Sequence, residues 1–166
     1  MSQSVLAWTA VVLLTAACTA PSPELQPAAE ADVSAVSRLV AEIDRCAREK
    51  DLDAFVALST DDVVSLAPDQ PPVVGRDAVR ESYRAFYAAF DITMRHRPLE
   101  THSIGGLVVH RGIAQGTLTP TGGGASVPFN NKYLFLLQRQ TDGSLRVWRA
   151  MFNANPPARD SMPGSS

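Results

Sequence analysis

The stretch VPFNNKYLFLLQRQTDGSLRVWRAMFNA, residues 127–154, decides the fold, because two runs of apolar and aromatic residues flank an Asp-Gly pair. An Asp-Gly pair in this setting is a strong signal for a tight turn between two antiparallel strands. Alternating residues upstream predict two further strands, with a looser turn at Gly122-Gly123-Gly124. The predicted strands form an antiparallel meander and cover residues 92–103, 106–118, 127–140 and 144–154.

The N-terminal half of the domain predicts three helices and one short strand. The clearest helix carries an apolar stripe at helical spacing, formed by Val33, Val36, Val40, Ile43 and Ala47. A short helix over residues 52–58 and a strand over 63–66 follow. Asp77 is a suitable N-cap for the third helix, whose apolar face comprises Val79, Tyr83, Phe86, Tyr87 and Phe90. This order predicts an α+β fold, in which three N-terminal helices pack on a curved antiparallel sheet and close it into a cone around a pocket.

The N-terminal segment has the pattern of an export signal. The first 23 residues carry no charged side chain, and residues 5–17 form an apolar run. Such a run is long enough for a signal peptide and too short for a spanning helix. Leu14-Thr15-Ala16-Ala17-Cys18 resembles the bacterial lipobox, whose cysteine thiol receives a diacylglycerol. The resemblance implies a signal peptide over residues 1–17 and lipidation at Cys18, with cleavage by an ordinary signal peptidase as the alternative.

The resemblance also predicts where the protein resides and how the chain is divided. We expect a lipid-anchored protein of the bacterial cell envelope, attached to the outer membrane where the envelope has two, because Thr19 is not the aspartate of inner-membrane lipoproteins. Without lipidation, a secreted or periplasmic protein is expected. The predicted parts after the signal peptide are a flexible tether over 18–30, one domain over 31–155 and a disordered tail over 156–166.

Composition excludes several partners and cofactors. The formal net charge is −2 and no block of like charge stands out, which argues against nucleic acid and against a basic membrane-binding patch. Membrane contact is therefore expected through the lipid anchor alone. The two cysteines, Cys18 and Cys46, form no CxxC motif and no Cys/His cluster, so neither a metal nor another cofactor is predicted.

Several landmarks in this order resemble the nuclear transport factor 2-like superfamily, which includes ketosteroid isomerases and SnoaL-like polyketide cyclases. The stretches that carry the resemblance are DLDAF at 51–55, LSTDDV at 58–63, PPVVGRDAVR at 71–80, KYLFLL at 132–137 and VWRAMFN at 147–153. The resemblance is greatest to an uncharacterised, often secreted branch. It implies the cone-shaped fold, a pocket, and dimerisation through the outer face of the sheet. It does not fix the function, because one fold hosts many functions.

The ketosteroid isomerase mechanism is not expected here. That reaction needs a carboxylate base and two acidic donors, a tyrosine and a protonated aspartate. By resemblance, the base position corresponds to Ala67, the tyrosine to Ile43 and the aspartate to Phe135. Apolar side chains neither accept a proton nor stabilise an oxyanion. A pocket that binds a small apolar molecule without catalysis is therefore the favoured interpretation.

Other polar residues offer weaker alternatives. His96 and His110 are candidate acid/base groups. The flanking Arg95 and Arg97 favour a solvated edge strand for His96, whereas strand alternation after Val108-Val109 turns His110 inward. The predicted ligand contacts are Asn153, Met151, Arg149, Tyr87 and Lys132. Among them, Asn153 matches an asparagine that recurs in the related branch, and we expect it at the pocket mouth.

Three functions are therefore carried forward. Non-catalytic binding of a small apolar molecule comes first. A homodimeric interaction module comes second, with Trp148 and Phe152 supplying an apolar outer surface if they point outward. An isomerase, dehydratase or cyclase that uses a histidine comes third.

Overall fold

A computed structural model describes residues 24–155, so the predicted signal peptide, Cys18 and the C-terminal tail lie outside the described residues. The helices are α1 (Glu30–Glu49), α2 (Leu52–Ala57) and α3 (Arg76–Ala89). The strands are β1 (Gln26–Pro27), β2 (Ser59–Leu66), β3 (Val73–Val74), β4 (Phe90–Ile104), β5 (Leu107–Pro120), β6 (Val127–Arg139) and β7 (Leu145–Ala154). None of the helices in this part of the chain combines the length and apolar character needed to cross a bilayer.

The strands form one curved sheet, and the predicted α+β fold is confirmed. The order across the sheet is β1-β4-β5-β6-β7-β2-β3, so the predicted four-strand meander lies at its centre. One detail of the prediction is wrong, because β2 pairs in parallel with β7 and the sheet is not wholly antiparallel. The short run at 63–66 gave no sign of this pairing, since its partners in β7 lie about 85 residues further along the chain.

The helices cover one face of the sheet through their apolar stripes. In α1 the buried residues are Val36, Leu39, Val40, Ile43, Cys46 and Ala47, as the helical spacing predicts. The helix stops at Lys50, which adopts a left-handed conformation with φ of 53° and donates its N–H to the carbonyl of Cys46. The Asp51 side chain then caps α2 by accepting the N–H of Ala54. This immediate restart turns the chain back over the sheet.

The core fills one end of the cone and leaves the other end open for a cavity. Leu137, Val108 and Leu145 are buried at the end where β6 finishes and β5 and β7 begin. The strand β1 lies at this filled end, because Gln26 pairs with Ser103 near the end of β4. Within the segment predicted as flexible tether, Gln26 and Pro27 form β1 and Glu30 begins α1.

A β-bulge in β7 changes which residues face the helices. Leu136 pairs with Arg149 whereas Leu137 pairs with Val147, so Trp148 is an extra residue in the strand. Side chains alternate regularly along a strand, and one inserted residue reverses the alternation beyond it. Val147 before the bulge and Ala150 after it consequently share the inner face of the sheet.

Candidate functional site

A cavity of about 340 Å³ lies between the sheet and the helices, at the end where β4 and β6 begin. This volume is at the lower end of the range for small-molecule sites, roughly 300–1,000 Å³. All three tyrosines of the chain and five of its six phenylalanines line the cavity, namely Tyr83, Tyr87, Tyr133, Phe55, Phe86, Phe129, Phe135 and Phe152. The walls are therefore mostly aromatic, with scattered polar groups.

The three positions assigned to ketosteroid isomerase chemistry lie in this lining. Ile43 comes from α1, Ala67 from the segment after β2 and Phe135 from β6. Their side chains contribute apolar surface to the cavity. A proton-transfer reaction in this cavity must therefore use a different group.

His96 is a candidate for that group. The solvated environment predicted for it is wrong. The side chain of His96 is only 4% exposed and lines the cavity, whereas a solvated edge position was expected. Strand alternation explains the difference, because it directs the neighbouring Arg95 and Arg97 to the opposite face of β4. Helix α1 packs over this part of the strand and encloses the imidazole.

Asp44 of α1 holds the His96 ring. The Nδ1 atom of His96 lies 2.6 Å from Oδ1 of Asp44, and the backbone N–H of His96 donates to Oδ2 over 3.0 Å. Because a carboxylate accepts hydrogen bonds, the neutral ring carries its proton on Nδ1 and keeps a lone pair on Nε2. Within residues 24–155, no protein group hydrogen-bonds to this Nε2. The pair has the arrangement that orients a general base.

Asp44 was missed in the sequence, although a signal was present. It stands four residues after Val40 and three before Ala47, both of them buried on the helix stripe. A carboxylate at stripe spacing is out of place unless it has a partner. The partner is 52 residues away along the chain, so the spacing points to an unusual position without identifying His96.

His110 lies behind the cavity wall, with the inward orientation predicted for it. It is fully buried, and Nδ1 lies 3.1 Å from the carbonyl oxygen of Glu100 and 2.9 Å from Oγ1 of Thr101. A carbonyl only accepts, so Nδ1 donates to it and Nε2 accepts the hydroxyl of Tyr133 over 2.9 Å. Burial is the main cause that lowers the pKa of His110. Its ring is not part of the cavity lining.

Tyr133 links this buried histidine to the cavity. Its ring meets His96 edge-on with centroids 4.8 Å apart, while its hydroxyl is fixed by His110. Gly112 leaves room for that hydroxyl, because a Cβ there would lie 2.4 Å from Oη of Tyr133. The Tyr133 ring is thus held from behind and supports one side of the His96 imidazole.

Four of the five predicted ligand contacts lie elsewhere. Tyr87 lines the cavity, but Lys132, Arg149, Met151 and Asn153 do not. Lys132, Met151 and Asn153 are exposed, and Lys132 pairs with Asn153 on the outer face of the sheet. The expected position of Asn153 at the pocket mouth is therefore wrong. The bulge at Trp148 places Ala150 and Phe152 inside instead.

Between residues 24 and 155, no group of three His, Cys, Asp or Glu side chains stands close enough to hold a metal ion.

Phe152 faces the cavity, so it does not supply the apolar outer surface considered for a dimer. That face instead carries the paired Leu134 and Met151, which are 36% and 49% exposed.

Comparison with known proteins identifies the family of the fold. The family model of the SnoaL-like domain matches residues 36–144, more than half of the chain. None of the curated proteins matches the sequence. A ketosteroid isomerase-like protein from Erwinia carotovora atroseptica is similar in structure, with a TM-score of 0.70, 23% identity, and coverage of 78% of this chain and 100% of that one.

Two further solved structures share the fold at lower identity. A candidate scytalone dehydratase from Novosphingobium aromaticivorans has a TM-score of 0.71 and 12% identity, with 76% of this chain and 85% of that one covered. A protein from Catenulispora acidiphila, solved in complex with S-DNPA, has a TM-score of 0.62 and 19% identity, with 76% and 95% covered. At these identities the similarity establishes the fold, and the chemistry must come from the cavity itself.

Proposed function

The chain belongs to the SnoaL-like domain family, and from that premise we propose that it binds a small ring compound in its cavity and moves a proton on it with His96. The reaction class is that of an isomerase, dehydratase or cyclase, all of which remove a proton beside an activating group. The three apolar positions favoured binding without catalysis. The pairing of His96 with Asp44 moves the preference to an enzyme.

That pairing is the observation that carries the proposal. A cavity-lining histidine with one ring nitrogen fixed by a carboxylate and the other without a protein partner can transfer protons repeatedly. In the proposed step a C–H bond of the ligand breaks, its proton forms an N–H bond at Nε2, and the electron pair remains on the ligand. The carboxylate of Asp44 stabilises the imidazolium that results.

The cavity walls support a ring compound as the ligand. Aromatic side chains pack well against flat rings in offset or edge-on geometry, and eight such side chains line the cavity. Proteins of the same fold are named as a ketosteroid isomerase-like protein and as a candidate scytalone dehydratase, and one was solved with S-DNPA. These names concern the relatives, and they make small-molecule chemistry a reasonable proposal for this chain.

Deuterium exchange tests the catalytic part of the proposal. We would incubate the protein with 2-tetralone, a two-ring ketone, in D2O and follow the loss of its α-hydrogens by NMR. Wild-type protein should accelerate exchange, and His96→Gln should lower that acceleration by about 100-fold or more, within the range for general bases. Asp44→Asn should also lower it, because the ring loses its fixed orientation.

His102→Gln is the matched control, since this histidine lies outside the cavity lining and is bonded to Glu100. Equal exchange by the His96 and His102 variants would show that His96 is not the base. If wild-type protein binds the ketone without accelerating exchange, the cavity is a binding site and the catalytic proposal fails.

A homodimer is the second candidate function, and the outer face of the sheet favours it. Leu134 and Met151 pair across β6 and β7 and expose apolar surface side by side. Native mass spectrometry of the wild-type protein and of Leu134→Glu tests this. A dimer that the charge disrupts would support the interface, and a monomeric wild-type protein would exclude it.

The cell-envelope location remains a proposal that rests on Cys18 and the apolar run before it. Membrane fractionation of the bacterial host after expression of the full chain, with Cys18→Ser as the comparison, tests it. Equal soluble yields of both forms would contradict lipidation.

A further inference from the structure

The three tyrosines of the cavity wall have their hydroxyl groups in three different environments. The hydroxyl of Tyr133 is committed to His110 at 2.9 Å. The hydroxyl of Tyr87 is enclosed by protein and has no hydrogen-bond partner. The hydroxyl of Tyr83 is not enclosed in this way, and no residue between 24 and 155 hydrogen-bonds to it. Of the three, Tyr83 therefore has the hydroxyl that a ligand can reach.

Neighbouring aromatic rings hold Tyr83 in the wall. Its ring centroid lies 4.3 Å from that of Phe55 and 5.8 Å from that of Tyr87. Tyr83 is half-buried and lines the cavity. A tyrosine hydroxyl keeps its proton at neutral pH, because its ordinary pKa is about 10. Tyr83 therefore brings a hydrogen-bond donor to a mostly apolar lining.

We infer that the Tyr83 hydroxyl donates a hydrogen bond to an oxygen of the ligand, so the cavity selects ring compounds that carry a carbonyl or phenolic oxygen over the corresponding hydrocarbons. The inference rests on the proposed function and names the chemical class of its ligand. Filling the cavity with a hydrocarbon would remove water from the hydroxyl and leave it unpaired, which is unfavourable. A ligand oxygen restores the bond.

A pair of probes that differ only in the oxygen tests this selection. The dissociation constants of 2-tetralone and of tetralin, the same ring system without the carbonyl, would be measured by NMR titration of wild-type, Tyr83→Phe and His102→Gln protein. Tyr83→Phe should weaken binding of 2-tetralone by about 3- to 10-fold, the range for one neutral hydrogen bond. Binding of tetralin should not change, because a phenylalanine ring fills the same space.

His102→Gln is the control, since this residue lies outside the cavity lining and neither constant should change. The unfolding midpoint of each variant checks that the fold is kept. An equal change for both probes in Tyr83→Phe, or no change for 2-tetralone, would overturn the inference while the cavity function stands. Failure of both probes to bind wild-type protein would overturn the proposed function and the inference together.

Discussion

Stability should fall on mild acidification because of His110. An imidazole in the unfolded chain binds a proton below its ordinary pKa of 6.5, whereas burial lowers the pKa of His110 in the folded protein. Between these two values the unfolded state binds more protons, so acid favours unfolding. The stability is fully present above pH 6.5 and is lost as the pH falls towards the folded pKa. The groups that face the ring are Tyr133, Thr101 and the carbonyl of Glu100, none of which stabilises an imidazolium as a carboxylate would.

The size of the effect follows from proton linkage. If His110 stays neutral in the fold, protonation of the unfolded chain alone costs about 1.4 kcal/mol of unfolding free energy between pH 7.5 and pH 5.5. That is the upper limit for one histidine. The carboxylates whose pKa values are lowered, such as Asp32 and Asp142, titrate below this window and do not contribute to it.

Urea unfolding at pH 7.5, 6.5 and 5.5, followed by tryptophan fluorescence, measures the loss. His110→Gln should be less stable overall but should lose less stability on acidification than wild-type protein. Leu134→Ala should keep the wild-type dependence, because it removes no titratable group. If the difference in unfolding free energy between wild type and His110→Gln is the same at all three pH values, then His110 does not carry the pH dependence and its burial has been misjudged.

Two pairs of substitutions, all measured by urea unfolding, test the packing. Gly116→Ala should cost about 2 kcal/mol or more, because its Cβ would lie 1.8 Å from the backbone oxygen of Thr93. Gly122→Ala, which meets nothing within 4 Å, should be nearly neutral, and equal losses would contradict the register of β4 and β5. Leu137→Ala should cost about 2–5 kcal/mol, since the side chain is fully buried. Leu134→Ala, at 36% exposure, should cost less than about 1 kcal/mol, and a reversed order would contradict the assigned inner face.

The parts of the fold that depend on local signals were predictable. The hairpin between β6 and β7 follows from Asp142-Gly143, and Gly143 has the positive φ of 81° that such a turn requires. The helical spacing of the apolar residues in α1 likewise predicted which face of the helix is buried. The parallel contact between β2 and β7 has no local signal, since its energy comes from residues far apart in the chain. Element types were therefore predictable, and the sheet order at its edge was not.

The orientation of individual side chains on strands was predictable only where the alternation is unbroken. His110 lies on a regular part of β5, and counting by twos from Val108 places it inside. Beyond Trp148 the same counting fails, because the extra residue reverses the faces. Asn153, expected at the pocket mouth from its match to the related branch, is exposed on the outer face, and Phe152 lies in the cavity lining. A bulge of one residue has little signature in sequence, yet it decides every later position of the strand.

The misjudged environment of His96 changes how the lost isomerase groups are interpreted. Apolar residues at Ile43, Ala67 and Phe135 remove one catalytic arrangement, but proton transfer needs only a reachable base and a group that orients it. Asp44 follows Ile43 directly, so two adjacent residues of α1 supply an apolar side chain to the lining and a carboxylate to the ring of His96. In the proposed reaction the base stands on β4 instead of the segment after β2. A cavity can thus lack the residues of the ketosteroid isomerase reaction and still hold a base for another proton transfer. Deuterium exchange with His96→Gln distinguishes a catalytic cavity from one that only binds.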